Sequence, residues 1–266
     1  MPRLFSYFFL FLFLAQVCES APPKKQAITP LFQFDASQFP LGKVNSETLE
    51  EMSPSGNAQI PVIFHLRDKD PNASAEIVEL EGKIKALRIA APPLPKGTEP
   101  PYPIAMYFDD ANLSSQIDST KPFFLEIRFE RKGAPIHFSV TAYLRAVDSP
   151  NLPFTHAGLG VIAPKGNYQA IKTPIQPNPE REDGPDVPSD EILTLRYEIA
   201  PNSNGLIVKT KLLSGSDLLF ETQDPAVIKD KSLNELCGLW MMAMHYADGE
   251  DTGGDSIDLL SINGWQ

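Results

Sequence analysis

From residue 31 onward apolar residues recur in short segments, alternating with polar ones or gathered in compact runs, with Pro, Gly, Asn and Asp between them. Alternation at a period of two marks a strand with one buried face, because successive strand residues lie on opposite faces. The segments predicted as strands are 31–34, 60–66, 76–80, 84–90, 104–108, 123–130, 136–145, 158–162, 192–199, 206–213, 218–221, 236–246 and 256–262. The pattern predicts about 11–13 strands. Helical periodicity is nearly absent, with only 46–52 long enough for a turn or two.

In 123–130, Leu125, Ile127 and Phe129 share one face and Glu126, Arg128 and Glu130 the other. In 136–145, Ile136, Phe138, Val140, Ala142 and Leu144 alternate with His137, Ser139, Thr141, Tyr143 and Arg145. These two strands are predicted to form a hairpin through Arg131, Lys132, Gly133 and Ala134. Residues 236–246 read as a central strand covered on both faces, since Leu236, Leu239, Trp240, Met241, Met242 and Met244 occupy both parities. One-sided strands around a two-sided centre predict an all-β fold, a two-layer antiparallel β-sandwich. Two stretches break the rhythm, 91–103 with six prolines and 173–190 with five, and both are predicted to be long surface loops. A boundary at 173–190 would leave a small second domain without staples, so 31–266 is read as one β-sandwich domain.

The start of the chain has a different pattern. One cation, Arg3, precedes an apolar run from Leu4 to Val17, too short to span a bilayer and suited to the core of a signal peptide. Cys18 and Ser20 supply small residues at −3 and −1 for cleavage before Ala21, so 1–20 is predicted to be a signal peptide and 21–30 an N-terminal spacer. The product would be secreted, periplasmic or extracellular; lipid anchoring through Cys18 is less favoured, because Ala15, Gln16 and Val17 fit a lipoprotein signal poorly. Cys237 would then be the remaining cysteine, unable to close an intramolecular disulfide and read as a small buried hydrophobe.

The net charge of −11 is unchanged by loss of the signal and disfavours nucleic acid and anionic membranes as partners. With 26 prolines, long helices are excluded as well.

The closing pattern from Asp255 to Asn263, in which Ile257, Asp258, Leu260 and Ile262 stand out, resembles the last strand of the concanavalin A-like lectin and glucanase superfamily, including laminin-G-like domains. The resemblance implies a jelly-roll sandwich that binds glycans on a concave sheet, cleaves them there, or holds proteins together. The Glu-x-Asp-x-x-Glu strand of the superfamily's retaining glucanases is missing, although Glu126 with Glu130, and Glu79 with Glu81, alternate in strand-like segments. Related polysaccharide lyases use an Arg, a Gln-Ile-His and a Tyr-rich strand; here Ile136-His137 follows Pro135, a partial match.

His137, Thr141, Tyr143 and Arg145 nevertheless form one polar strand face, whose bland reading is a solvated surface. Trp240 and Tyr246, of equal parity, are candidates with Tyr143 for an aromatic platform against a sugar ring; ordinary core positions are the alternative. Asp248, Asp251 and Asp255 in a Gly-rich turn make calcium the candidate cofactor, or else belong to a plain hairpin turn. His65, His137, His156 and His245 have no metal-ligand spacing, and Asn72 and Asn112 begin N-glycosylation patterns. The preferred expectation is an exported, non-catalytic carbohydrate-binding protein with no transmembrane segment. The alternatives are a polysaccharide-degrading enzyme, a lyase before a hydrolase, and an extracellular structural or adhesion module.

Overall fold

A computed structural model of the chain describes residues 29–45, 65–68, 74–90, 104–109, 116–132, 136–145, 154–162, 167–171, 181–186, 188–229, 232–233, 236–245 and 256–266. Among them are seventeen strands: β1 (Phe32–Asp35), β2 (Gly42–Lys43), β3 (His65–Asp68), β4 (Ser74–Glu79), β5 (Lys85–Ala90), β6 (Ile104–Asp109), β7 (Phe123–Lys132), β8 (Ile136–Arg145) and β9 (Phe154–Ile162), followed by β10 (Asn167–Ile171), β11 (Arg181–Asp186), β12 (Ile192–Asn202), β13 (Gly205–Ser214), β14 (Asp217–Glu221), β15 (Ala226–Lys229), β16 (Leu236–His245) and β17 (Ser256–Trp265). All their pairings are antiparallel, and they build a two-layer β-sandwich. The ten-stranded sheet runs β14-β13-β12-β7-β17-β5-β4-β2, with β1 on β17 and β15 on β13; the seven-stranded sheet runs β11-β10-β9-β8-β16-β6-β3.

Alternation sets the core of the ten-stranded sheet. In β7, Phe123, Leu125, Ile127 and Phe129 are buried, and in β12 so are Leu193, Leu195, Tyr197 and Ile199. Register lines these sets up across strands: Leu212, Leu195, Ile127, Ile262 and Phe34 stand side by side on β13, β12, β7, β17 and β1, none more than 2% exposed. Each such side chain, fully removed from water, contributes about 1.5–3 kcal/mol before chain entropy is charged against it.

β17 keeps β7 along one edge and divides the other between β5, paired with its first half, and β1, paired with its second. A bulge between Leu259 and Ser261 adds Leu260 as an extra residue, so Ile257 and Leu259 lie in the core before it and Ile262 after it. At Gly264 the ring of Phe32 would lie 2.4 Å from an added Cβ, so glycine permits the close approach of β1.

Each of the thirteen segments read as strands overlaps a strand, although 60–64 and 246 lie outside the described residues, so that β3 meets only the end of 60–66; β2, β10, β11 and β15 are additional. Their brevity gives too few alternations to register. Part of 173–190 is not loop: β11 lies within it, pairs with β10, and carries Pro185 at the sheet edge, where a missing N–H costs no interior ladder bond. Residues 131–135 do not close a hairpin, because β7 belongs to the ten-stranded sheet and β8 to the seven-stranded one. Alternation identifies a strand without naming its partner. Glu81 falls in a 3-10 turn, Glu81–Lys83, rather than on a strand with Glu79. The predicted signal, the helical turn at 46–52, the loop at 91–103, Asn72 and Asn112 lie outside the described residues.

Asp258 is fully buried and accepts two hydrogen bonds from Arg88, Nε to Oδ1 at 2.8 Å and Nη2 to Oδ2 at 2.7 Å. This side-chain hydrogen bond is the main cause that raises the Arg88 pKa above its ordinary value. The bidentate pair ties β5 to β17 in the row Glu130, Asp258, Arg88, Glu76, Lys43. Removing one partner strands a carboxylate in a dry site, so Arg88→Met is expected to cost about 3–5 kcal/mol, while Arg88→Met with Asp258→Leu regains most of it. Denaturant midpoints of the two variants test this; equal loss in both would show that packing, not the stranded charge, sets the cost.

Candidate functional site

Register decides which residues of the seven-stranded sheet share a face. Trp240 stands opposite Thr141 of β8 on one side and Tyr107 of β6 on the other, Tyr107 opposite His65, and Thr141 opposite Gly158. The next row along is Asp109, Gly238, Tyr143 and His156, and the row on the other side is Arg67, Ala105, Met242, Ser139 and Gly160. Rows two residues apart share a face, so His137, Thr141, Tyr143, Arg145 and Trp240 all belong to it. The opposite face carries Leu66, Met106, Phe108, Leu239, Met241, Phe138, Val140, Ala142, Leu159 and Val161, an apolar set suited to the inside of a sandwich. The polar and aromatic set thus shares one face of the sheet and the apolar set the other.

The candidate residues extend along this face rather than meeting at a point. His137 and Tyr143 are six residues apart on one strand, about 20 Å at the usual rise, whereas Tyr143, Thr141 and Trp240 are neighbours. Tyr107, His65 and His156 join them, and sequence reasoning missed all three as members of the face; the alternation of Tyr107 with Met106 and Phe108 was the available signal. Trp240 lies on an internal strand, with β8 and β6 as its neighbours. Tyr246, Asp248, Asp251 and Asp255 lie outside the described residues. Among the described residues no group of three or more His, Cys, Asp or Glu is placed to hold a metal ion.

Glu126 and Glu130 of the ten-stranded sheet have structural partners. Arg196 donates to Glu126, with Nη2 2.6 Å from Oε2, and Lys132 donates to Glu130 while lying 3.4 Å from Asp190. The hydrogen bond to Glu130 is the main cause raising the Lys132 pKa. Four residues of one strand separate Glu126 from Glu130, about 13 Å along its axis. Paired glycosidase carboxylates stand about 5–9.5 Å apart, so this pair lacks the required geometry.

At the end of that sheet, Asp118 accepts from the backbone N–H of Thr120 at 3.0 Å and its hydroxyl at 2.6 Å, and pairs with Lys121 at 2.9 Å. Gln266 closes the same turn, accepting from the Asp118 N–H and donating to its carbonyl, both at 2.8 Å. The Thr120 hydroxyl leads the causes that lower the Asp118 pKa from 3.8 to about 2.

No protein-family model matches the chain, and no curated protein does. Among solved structures the chain is similar to the protein of unknown function SO2946 from Shewanella oneidensis MR-1, at 13% identity and TM-score 0.54, covering 88% of this chain and 84% of that one. It is also similar to the CBM2 module of the evolved Dit of Lactobacillus casei BL23 phage J-1, at 9% identity and TM-score 0.51, over 89% and 94% of the two chains. Alginate lyase A1-II', of polysaccharide lyase family 7, matches at 12% identity and TM-score 0.44 over 71% and 82%. At these identities the likeness is one of fold alone, an all-β sandwich. No helix among the described residues is long and apolar enough to cross a membrane.

A depressed carboxylate pKa stabilises the fold above the unfolded value, and that contribution is lost as pH falls through the folded one. The melting-temperature advantage of the native chain over Asp118→Asn is therefore expected to hold above about pH 5 and to close between 3.8 and about 2. A pH-independent difference between the two proteins would overturn this assignment.

Proposed function

We propose that the chain is an exported, non-catalytic carbohydrate-binding protein of the concanavalin A-like type that holds a glycan on the outward face of its seven-stranded sheet. The observation that carries this reading is the register that sets Trp240 between Thr141 and Tyr107, with Tyr143 in the adjacent row. Such a face supplies aromatic surface for the C–H side of a sugar and hydroxyl, imidazole and guanidinium groups for its oxygens. The fold likeness to a CBM2 module supports the same reading.

His137, Tyr143 and Arg145 on one face also favour a second reading, a polysaccharide lyase in which a cation meets a uronate carboxylate and Tyr or His moves the proton. The length of strand between His137 and Tyr143 weighs against a compact catalytic group. The −11 charge also favours a neutral glycan over an acidic one.

The test is retention of the purified chain on a panel of insoluble polysaccharides, with the supernatant assayed for new reducing ends and unsaturated uronates. Retention without product is expected, and Trp240→Ala or Tyr143→Ala should weaken it about tenfold, equivalent to about 1.4 kcal/mol, with the melting temperature little changed. Unsaturated uronates released by the native chain but not by His137→Ala would establish the lyase instead. Absence of both retention and product would leave the adhesion module.

Calcium is proposed at the turn carrying Asp248, Asp251 and Asp255, whose carboxylates are hard oxygen donors. Chelator is expected to lower the melting temperature and added calcium to restore it, with both effects lost in Asp251→Asn. A melting temperature indifferent to chelator and to calcium counts against the site.

A further inference from the structure

The outer face of the ten-stranded sheet carries an aromatic pair that the preceding reading leaves unused. Phe124 of β7 and Trp265 of β17 are register partners, their rings stacked with centroids 6.1 Å apart and planes at 16°. Both are half-buried, and they line a depression of about 280 Å³ together with Arg196, Glu198, Lys209 and Lys211.

Two neighbouring rows of the sheet run through it and past its edges. One runs Lys209, Glu198, Phe124, Trp265 and the other Glu221, Lys211, Arg196, Glu126, Asn263. In the second row the charges engage one another: Arg196 holds Glu126 at 2.6 Å and Lys211 holds Glu221 at 2.9 Å. In the first row, the side chains of Glu198 and Lys209 form no ion pair or hydrogen bond among the described residues. The depression therefore offers a ring surface beside one uncommitted acceptor and one uncommitted donor. Of its three lining cations, Arg196 and Lys211 are held by Glu126 and Glu221 just outside the depression and Lys209 stands opposite Glu198, so the two rows taken together carry no net charge.

The strands that carry the rings are anchored on the core side and at their end. Directly behind them, Phe32 stacks on Phe123 at 6.0 Å beneath Gly264, and Gln266 fastens the strand end to the Asp118 turn. A platform already ordered before binding loses little entropy when a ligand arrives.

We propose that Phe124 and Trp265, flanked by Glu198 and Lys209, form a second saccharide-binding site, specific for a neutral polysaccharide chain. A sugar ring stacks on the aromatic pair through its C–H side, Glu198 accepts from a hydroxyl, and Lys209 donates to another. Local neutrality gives a uronate, a sulfated sugar or a phosphodiester no net attraction, and the overall charge of −11 repels it. A protein partner suits the site less, since interface centres are depleted in Lys and Glu, which here line the floor. This site lies on the other sheet from Trp240 and does not depend on that reading.

The chain has two tryptophans, Trp240 and Trp265, so the Trp240→Phe variant reports on Trp265 alone by fluorescence. Titration of that variant with soluble xylan, hydroxyethyl cellulose, laminarin, alginate and polygalacturonate tests the proposal. A saturable change in emission is expected with at least one of the three neutral polymers and neither acidic one, at an affinity unchanged between 0.05 and 0.5 M salt within about twofold. Glu198→Gln or Lys209→Ala in the same background should weaken it at least fivefold with the melting temperature unchanged. A response confined to the acidic polymers, a steep salt dependence, no response to any polymer, or self-association that itself alters Trp265 emission would each overturn the proposal. Binding that survives Trp240→Ala but disappears with Trp265→Ala separates this site from the one on the seven-stranded sheet, and the reverse pattern would overturn this one alone.

Discussion

The backbone ladder of the last strand holds the larger sheet together. β17 lies between β7 and the shared edge formed by β5 and β1, so residues near the start of the fold wait for its end before their N–H and C=O groups are paired. Phe32 meets Gly264 across nearly the full span of the chain, Arg88 meets Asp258 across about two thirds of it and Phe129 meets Leu259 across about half. Pairing at such separation is expensive in loop entropy, and topologies of this kind fold slowly. The buried Arg88 and Asp258 pair fits that constraint. A bidentate contact has one good geometry, and a one-residue slip of β17 would set Asp258 on the core face and its apolar neighbours outside.

A period of two was enough to read most of the strands and their buried faces, because Leu125, Ile127 and Phe129, or Leu193, Leu195 and Tyr197, leave only one choice of inside. Pairing was less legible. Residues 131–135 have the composition of a tight turn, yet the strands on either side enter different layers, since a half-buried strand can satisfy its apolar face equally well in either sheet. β11 was hidden for a related reason: Pro185 and its acidic neighbours read as loop, and only an edge position, with one side free of ladder bonds, accommodates them.

The two candidate faces differ in how far they could be foreseen. Membership of the β8 face follows from alternation alone, and register adds Trp240 and Tyr107 to it without changing any parity. Trp265 could not be placed that way. It shares the odd parity of Ile257 and Leu259, both in the core, and unbroken alternation would bury it with them. The extra residue at Leu260 reverses the parity of all that follows, so Ile262 and Gly264 turn inward and Trp265 comes beside Phe124 on the outer face. A bulge leaves almost no mark in a single sequence, although the adjacent apolar residues Leu259 and Leu260 are where one had to occur if Asp258 and Ile262 were both to be accommodated.

Taken together, the two saccharide readings constrain each other through geometry. The sheets of a sandwich are stacked about 10 Å apart, and the two proposed sites lie on faces turned away from each other. A single extended polysaccharide lying on one face cannot reach the other without folding around the edge strands, so the second contact adds little effective concentration for the first. Two sites so arranged favour bridging between separate polysaccharide chains over tighter hold on one. Bridging also makes different demands on each contact: modest, salt-insensitive affinity suffices where many copies act together at a surface. That accords with a depression whose cations are balanced by carboxylates and whose binding surface comes chiefly from two rings.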